Sequence, residues 1–239
     1  MASKDIIMNN IYGLEKMSLV DYDGYICATI FLGGSNFRCL YCHNASLVLD
    51  VNNLEAYTDD EVFSYLEKRK NILDAVCISG GEPTLAPNLE DLIDKIRSLG
   101  YLVKLDTNGS NPKVLKHLID AKKIDYIAMD VKSGISNYRD VIGVNNNALV
   151  NNVLTSIELI KKSNIDYEFR TTLVKEFHGE KEVEEIGNLI KGAKHFFFQK
   201  FVNHGSCIKD NYHEVNINMA NKYLDIIRKY CINANLRGY

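Results

Sequence analysis

Cys39 and Cys42 are the only close pair of cysteines in the chain. They lie in the run Gly33-Gly34-Ser35-Asn36-Phe37-Arg38-Cys39-Leu40-Tyr41-Cys42-His43-Asn44. Two thiols at C-x-x-C spacing suit zinc or an iron–sulfur cluster, because the thiolate is a soft anionic ligand. Zinc would need four donors, with His43 and Cys27 to complete the set, and no second C-x-x-C exists. A turn holding two cysteines and no metal is the plain alternative. Ser35 stands four positions before Cys39. A cysteine there would make C-x-x-x-C-x-x-C, three thiolates on one loop. That set holds three irons of a [4Fe–4S] cube and leaves the fourth open to a substrate. A serine hydroxyl is neutral and hard, so it weakens or opens such a cluster.

Other chemistry-bearing residues fall at the ends of apolar runs. Gly80, Gly81 and Glu82 follow one; Asp106 and Thr107, Asp130 and Lys132, and Arg170 belong to three more. Carboxylates there bury poorly unless paired. For Asp106 and Asp130 a salt bridge, for instance Asp130 with Lys132 or Arg170, weighs equally with a ligand role. Gly-Gly before Glu-Pro is also an ordinary strand-to-helix turn. His117, His178, His195 and His213 are isolated and receive no role.

The elements that must position these residues alternate in type. Strands are expected over residues 25–32, 75–79, 102–106, 126–130, 167–173 and 195–201. Helices are expected over 59–69, 88–99, 112–121, 148–162, 180–191 and 218–231. In the second helix Leu89, Leu92, Ile93 and Ile96 recur at helical spacing, and Gly100 suits the residue past its end. Six βα units imply an α/β fold with a mainly parallel sheet, an open partial (β/α)6 barrel rather than the longer eight-stranded one. Residues 235–239 could add a short edge strand. One domain over 1–239 is expected. In such folds ligands sit at the C-terminal strand ends, where these segments would meet.

Composition narrows the function. Of 239 residues, 46% are hydrophobic and 25% charged, as in a globular protein. Lys and Arg total 28 against 31 acids, a net charge of −3, which argues against a nucleic-acid partner. No apolar run approaches a membrane span and the N-terminus lacks a signal-peptide core, so no membrane partner and a cytoplasmic location are expected. Cys27 and Cys77 lie in strand-like runs, where a buried structural cysteine is the default. Cys207 and Cys231 are isolated.

Taken in order, these segments resemble the radical S-adenosylmethionine (SAM) enzymes. Leu19-Val20-Asp21-Tyr22, the cysteine loop, Ile78-Ser79-Gly80-Gly81-Glu82-Pro83-Thr84, residues 105–112, residues 127–132 and Tyr167-Glu168-Phe169-Arg170-Thr171-Thr172 carry the likeness. Within that group the chain is similar to activases of glycyl radical enzymes, especially of anaerobic ribonucleoside-triphosphate reductase. The departures are Ser35, Asp23 where the family often has proline, and residues 202–215.

The resemblance implies a [4Fe–4S] cluster at Ser35, Cys39 and Cys42, and SAM chelated to its open iron. A 5′-deoxyadenosyl radical from SAM would install a glycyl radical on a partner enzyme, with an electron donor such as flavodoxin or ferredoxin. It implies SAM contacts from Tyr41, His43, Gly80, Gly81, Glu82, Asp106, Thr107, Asp130, Lys132, Arg170 and His204. Tyr41 and His43 would border the adenine, and the glycines would let backbone approach the methionine ammonium. Asp106, Thr107 and Asp130 could hold a monovalent cation. Two other readings stand beside the activase: a cluster-impaired paralogue that binds SAM or the partner, and a small-molecule radical SAM enzyme.

Overall fold

The computed structural model describes residues 10–203, 205, 207–209 and 211–239. The chain divides into two compact units. The first comprises Met1–Ser35, Ser46–Thr107 and Lys116–Ile127; the second comprises Asn36–Ala45, Asn108–Leu115 and Ala128–Tyr239.

In the first unit, β1 (Ile11–Ser18) pairs antiparallel with β2 (Cys27–Leu32). The short α1 (Ala45–Leu49) begins at the division between the units. Then α2 (Asp59–Lys68) leads to β3 (Ala75–Gly80), and α3 (Leu89–Ser98) to β4 (Leu102–Thr107). The β2–β3 and β3–β4 pairs are parallel and unshifted, Cys27 facing Ala75 and Leu32 facing Gly80. Fully buried residues on both strands (Ile30, Leu32, Val76, Ile78) explain why β2 and β3 read as nearly continuous apolar runs. Helix α2 starts in a capping box, Thr58 and Glu61 satisfying each other's backbone amides. Helix α3 buries Leu89, Leu92, Ile93 and Ile96 as expected, each stabilising by roughly 1.5–3 kcal/mol. Gly100 follows it at φ +92°.

Helix α4 (Pro112–Asp120) and β5 (Tyr126–Asp130) each run across the division. The second unit continues with α5 (Tyr138–Ile142), α6 (Asn147–Lys162), β6 (Asp166–Leu173), α7 (Glu180–Ile190), β7 (Phe196–Lys200), α8 (Ile217–Ile227) and β8 (Ala234–Arg237). Strands β6, β7 and β8 lie in chain order and parallel, Phe169 facing Phe196 and Phe196 facing Ala234. Phe169, Phe196 and Phe198 are fully buried and form its aromatic core with Tyr167.

All six expected strands and all six expected helices are present, and the mostly parallel α/β class is borne out. Residues 234–237 supply the extra strand suspected near the end. Strand β1 is an addition. Its outer residues Glu15, Lys16 and Met17 are exposed, its register shifts twice, and Gly13 packs against Phe31. An edge strand with so little burial needs no alternating pattern, so none announced it.

Candidate active site

In the first unit the end of β3 is locked onto the end of β2. The Gly81 amide donates to the Leu32 carbonyl at 2.8 Å, and the Glu82 amide to the Gly34 carbonyl at 2.7 Å. Gly80 sits at φ +121°, and a Cβ there would strike the Leu32 backbone. A Cβ on Gly81 would strike the Gly34 carbonyl. Both glycines are therefore required by the fold itself, whatever they offer a ligand.

Glu82 is 1% exposed. Its Oε1 accepts from the Thr84 amide at 3.1 Å, the Thr84 hydroxyl, and the Thr107 hydroxyl at 2.8 Å. The carboxylate thus orders the turn after β3 and ties it to the end of β4. One residue earlier on β4, Asp106 accepts from Lys104 Nζ at 2.9 Å and from Ser79 Oγ at 3.1 Å. Lys104 is almost wholly buried and also donates to the Asp21 carbonyl. The salt bridge weighed for Asp106 is realised, with a partner that sequence reasoning passed over. A signal existed: Lys104 and Asp106 are two apart on one strand, hence on one face.

The second unit holds the loop cysteines. Cys39 is buried and Cys42 partly so, in a turn closed by the Cys42 amide donating to the Cys39 carbonyl at 2.9 Å. Burial pushes the Cys39 thiol up to about 11. Asn36 fixes the loop's start. It donates to Ser110 Oγ at 2.8 Å and accepts from Asn108 at 3.1 Å. The Arg38 amide donates to the Ile142 carbonyl at 2.8 Å. His43 is exposed and stacks on buried Phe201, with ring centroids 5.5 Å apart. Tyr41 is 3% exposed, and its hydroxyl has no hydrogen-bond partner among the described residues.

Beside the loop's buried groups lies a chain of charge. Asp130 Oδ2 accepts from Lys132 Nζ at 2.8 Å and Oδ1 from Arg170 Nε at 2.9 Å. Burial alone would raise the Asp130 carboxyl, but the Arg170 guanidinium and the Lys132 ammonium outweigh it and hold it well below the usual range. Burial likewise works against the Lys132 ammonium, and Asp130 reverses that and raises it. Glu168, two residues before Arg170 on β6, takes both Nη atoms of Arg237 at 2.9 and 3.1 Å. Arg237 in turn lies 3.9 Å over the Phe197 ring. The group carries one more cation than anions, which suits a carboxylate ligand.

His178 holds this strand end in place. Its Nδ1 accepts from the Val174 amide at 2.9 Å, which puts the proton on Nε2, and Nε2 donates to the Lys132 carbonyl at 3.0 Å. Burial lowers its pKa, so it is neutral. A histidine first left without a role is thus a buried positioning group.

The structure therefore joins Gly80, Gly81, Glu82 and Thr107 in the first unit, with Asp106 beside them on β4 and paired to Lys104. It gathers Cys39, Tyr41, Asp130, Lys132 and Arg170 in the second. Ser35 is half-buried at the end of the first unit's leading segment. His204 lies outside the described residues.

The family model of the radical SAM superfamily matches residues 29–191. The chain is 34% identical over 194 residues to a protein of Methanocaldococcus jannaschii named "Putative glycyl-radical enzyme activating enzyme", covering 80% of this chain and 79% of that one. It is 30% identical over 139 residues to the pyruvate formate-lyase-activating enzyme of Staphylococcus epidermidis, covering 53% and 54%. Among solved structures, Streptococcus suis SuiB bound to its precursor peptide SuiA superposes with a TM-score of 0.66 at 16% identity, over 88% of this chain and 48% of that one. That last likeness speaks for the fold alone.

The chain belongs to the radical SAM superfamily, and is a radical SAM oxidoreductase. Membership implies a [4Fe–4S] cluster and SAM. The donors present fit in part. Cys39 and Cys42 offer two thiols on one fixed loop. The Tyr41 hydroxyl beside Cys39 fits a polar ligand, since leaving it buried and unpaired costs about 1–3 kcal/mol. The third loop position, Ser35, offers a hydroxyl where the cluster needs a thiolate.

Proposed function

We propose that this chain is a radical SAM activase that installs a glycyl radical on a partner enzyme, such as anaerobic ribonucleoside-triphosphate reductase. One observation carries the reading. The two-thiol loop and the Asp130–Lys132–Arg170 charge group share one compact unit, with the unpaired Tyr41 hydroxyl among them. Cys39 and Cys42 would hold the cluster. When bound, the cluster supplies the electron that cleaves the sulfonium bond of SAM.

The residues of the chain do the rest. Lys132 and Arg170 hold the carboxylate of SAM or its ribose hydroxyls, both aimed by Asp130. Tyr41 and His43 border the adenine. Lys104, Lys132 and Arg170 already supply the positive charge that Asp106 and Asp130 face. We take the chain as one radical SAM domain working in the cytoplasm with a flavodoxin or ferredoxin as electron donor. No described helix is long and apolar enough to cross a membrane.

The test is anaerobic reconstitution with iron and sulfide, then incubation with SAM, a reductant and the candidate partner. A glycine-centred paramagnetic signal on the partner supports the activase. Turnover of a small molecule with no partner radical favours a small-molecule enzyme. Ser35 favours one other reading, a paralogue that binds SAM or the partner without a working cluster. SAM binding with no iron retained would select it.

A further inference from the structure

The donor set of the loop is one thiolate short, and the fold brings another cysteine to it. Cys207 is partly buried and in no disulfide. Its Sγ lies 3.5 Å from the backbone carbonyl of Tyr41, the residue immediately before Cys42. Two positions on, the Lys209 amide donates to the Leu40 carbonyl at 2.8 Å. The chain around residues 207–209 therefore runs along the backbone that separates Cys39 from Cys42.

Aromatic contacts hold both flanks of this segment in the same place. Phe201 stacks on His43 and meets the Tyr41 ring edge-on at 6.1 Å. Tyr212 packs on Phe177 at 4.9 Å, and Phe177 packs on Tyr41 at 5.8 Å. All of these residues belong to the second unit. The unpaired Tyr41 hydroxyl is an independent sign of a ligand at this loop.

We propose that Cys207 supplies the third thiolate of the cluster in place of Ser35. The proposal rests on the radical SAM reading and specifies its ligand set. Among the described residues no three such side chains converge on one metal ion. A cube does not ask for that, because each thiolate binds a different iron and the sulfurs stand apart by the width of the cluster. To ligate an iron, Cys207 would turn its Sγ from the Tyr41 carbonyl. As the Fe–S bond forms, the thiol proton passes to solvent, and no iron changes valence.

The experiment compares four full-length proteins after anaerobic reconstitution with iron and sulfide: the native chain, Cys207→Ser, Ser35→Cys, and Ser35→Cys with Cys207→Ser. Iron and acid-labile sulfide are counted per chain, and circular dichroism checks folding. The native chain should hold about four irons. Cys207→Ser should lose roughly half of them or more, and the double variant should regain them, since a loop thiolate replaces the one removed. In the native chain Cys207 should also resist alkylation while the cluster is bound and react once iron is stripped.

Equal iron in the native chain and folded Cys207→Ser overturns the proposal. So does a native chain that binds no cluster while Ser35→Cys binds one, an outcome that leaves the family reading intact. If Ser35→Cys also holds no cluster, both the proposal and the cluster reading fall.

Discussion

Arg170 Nε donates to Asp130 Oδ1 at 2.9 Å, joining the interior of β6, where sequence reasoning had expected a strand end, to the end of β5. The bond is reinforced next door, where the Val131 amide donates to the Arg170 carbonyl at 2.8 Å. Asp130 also takes Lys132, so one carboxylate aims two cations. Removing it leaves those cations uncompensated. Asp130→Asn should lower stability at neutral pH by roughly 2 kcal/mol.

That loss should depend on pH. The folded pKa of Asp130 is depressed, so its contribution is complete above the ordinary carboxylate value of about 3.9. It declines as pH falls below that value and is gone once pH has passed through the lower folded one. Urea midpoints of the native chain and Asp130→Asn should therefore differ at pH 7 and draw together below about pH 4. A constant gap would remove Asp130 as the source.

His178 gives a limb of the same sign at milder pH. Its folded pKa is lowered by burial, so the unfolded chain binds the extra proton. Stability should be full above about pH 6.5 and fall as pH drops below it. His178→Gln should flatten that limb in urea titrations between pH 7.5 and 5. It should also weaken SAM binding, because the Lys132 carbonyl loses its anchor. An unchanged limb would place the proton uptake elsewhere.

The glycines that end β3 and follow it should fail as selective probes of ligand binding. Gly80 at φ +121° and Gly81 against the Gly34 carbonyl leave no room for a side chain. Gly81→Ala should cost several times the roughly 1 kcal/mol of an ordinary backbone substitution, since the β2–β3 junction must open. Glu82→Gln is the gentler probe. It keeps the shape and weakens acceptance from Thr84 and Thr107, at about 1–2 kcal/mol in thermal unfolding. A Gly81→Ala protein as stable as the native one would show that the junction yields.

Much of this was legible in the sequence. The strands bearing Ile78, Leu105 and Met129 are short apolar runs buried by helices, so type and order could be read directly. The loop cysteines and the acids at strand ends stood out because their types are rare in such runs. Three features did not. The full role of Lys104 was hidden because its second acceptor, the Asp21 carbonyl, stands 83 positions away and meets it only in the fold. His178 gained its role through the Lys132 carbonyl, 46 positions away. Cys207 seemed isolated because its approach to Tyr41 spans 166 positions in a segment with no periodic pattern.

Ser35→Cys should tighten iron retention beyond the native chain. A thiolate within the loop needs no other segment to reach the cluster, whereas Cys207 must be delivered by the fold. Iron remaining after a fixed exposure to chelator should rank Ser35→Cys above the native chain and the native chain above Cys207→Ser. Equal retention in all three would mean that neither position ligates iron.

The central claim is transfer of radical character to a partner's glycine. The direct measurement is electron paramagnetic resonance of anaerobic ribonucleoside-triphosphate reductase, incubated without oxygen with the reconstituted chain, SAM and a reductant. A glycine-centred doublet should appear, with 5′-deoxyadenosine released in step, and Lys132→Met should suppress both. Release of 5′-deoxyadenosine without any partner radical would contradict the activase.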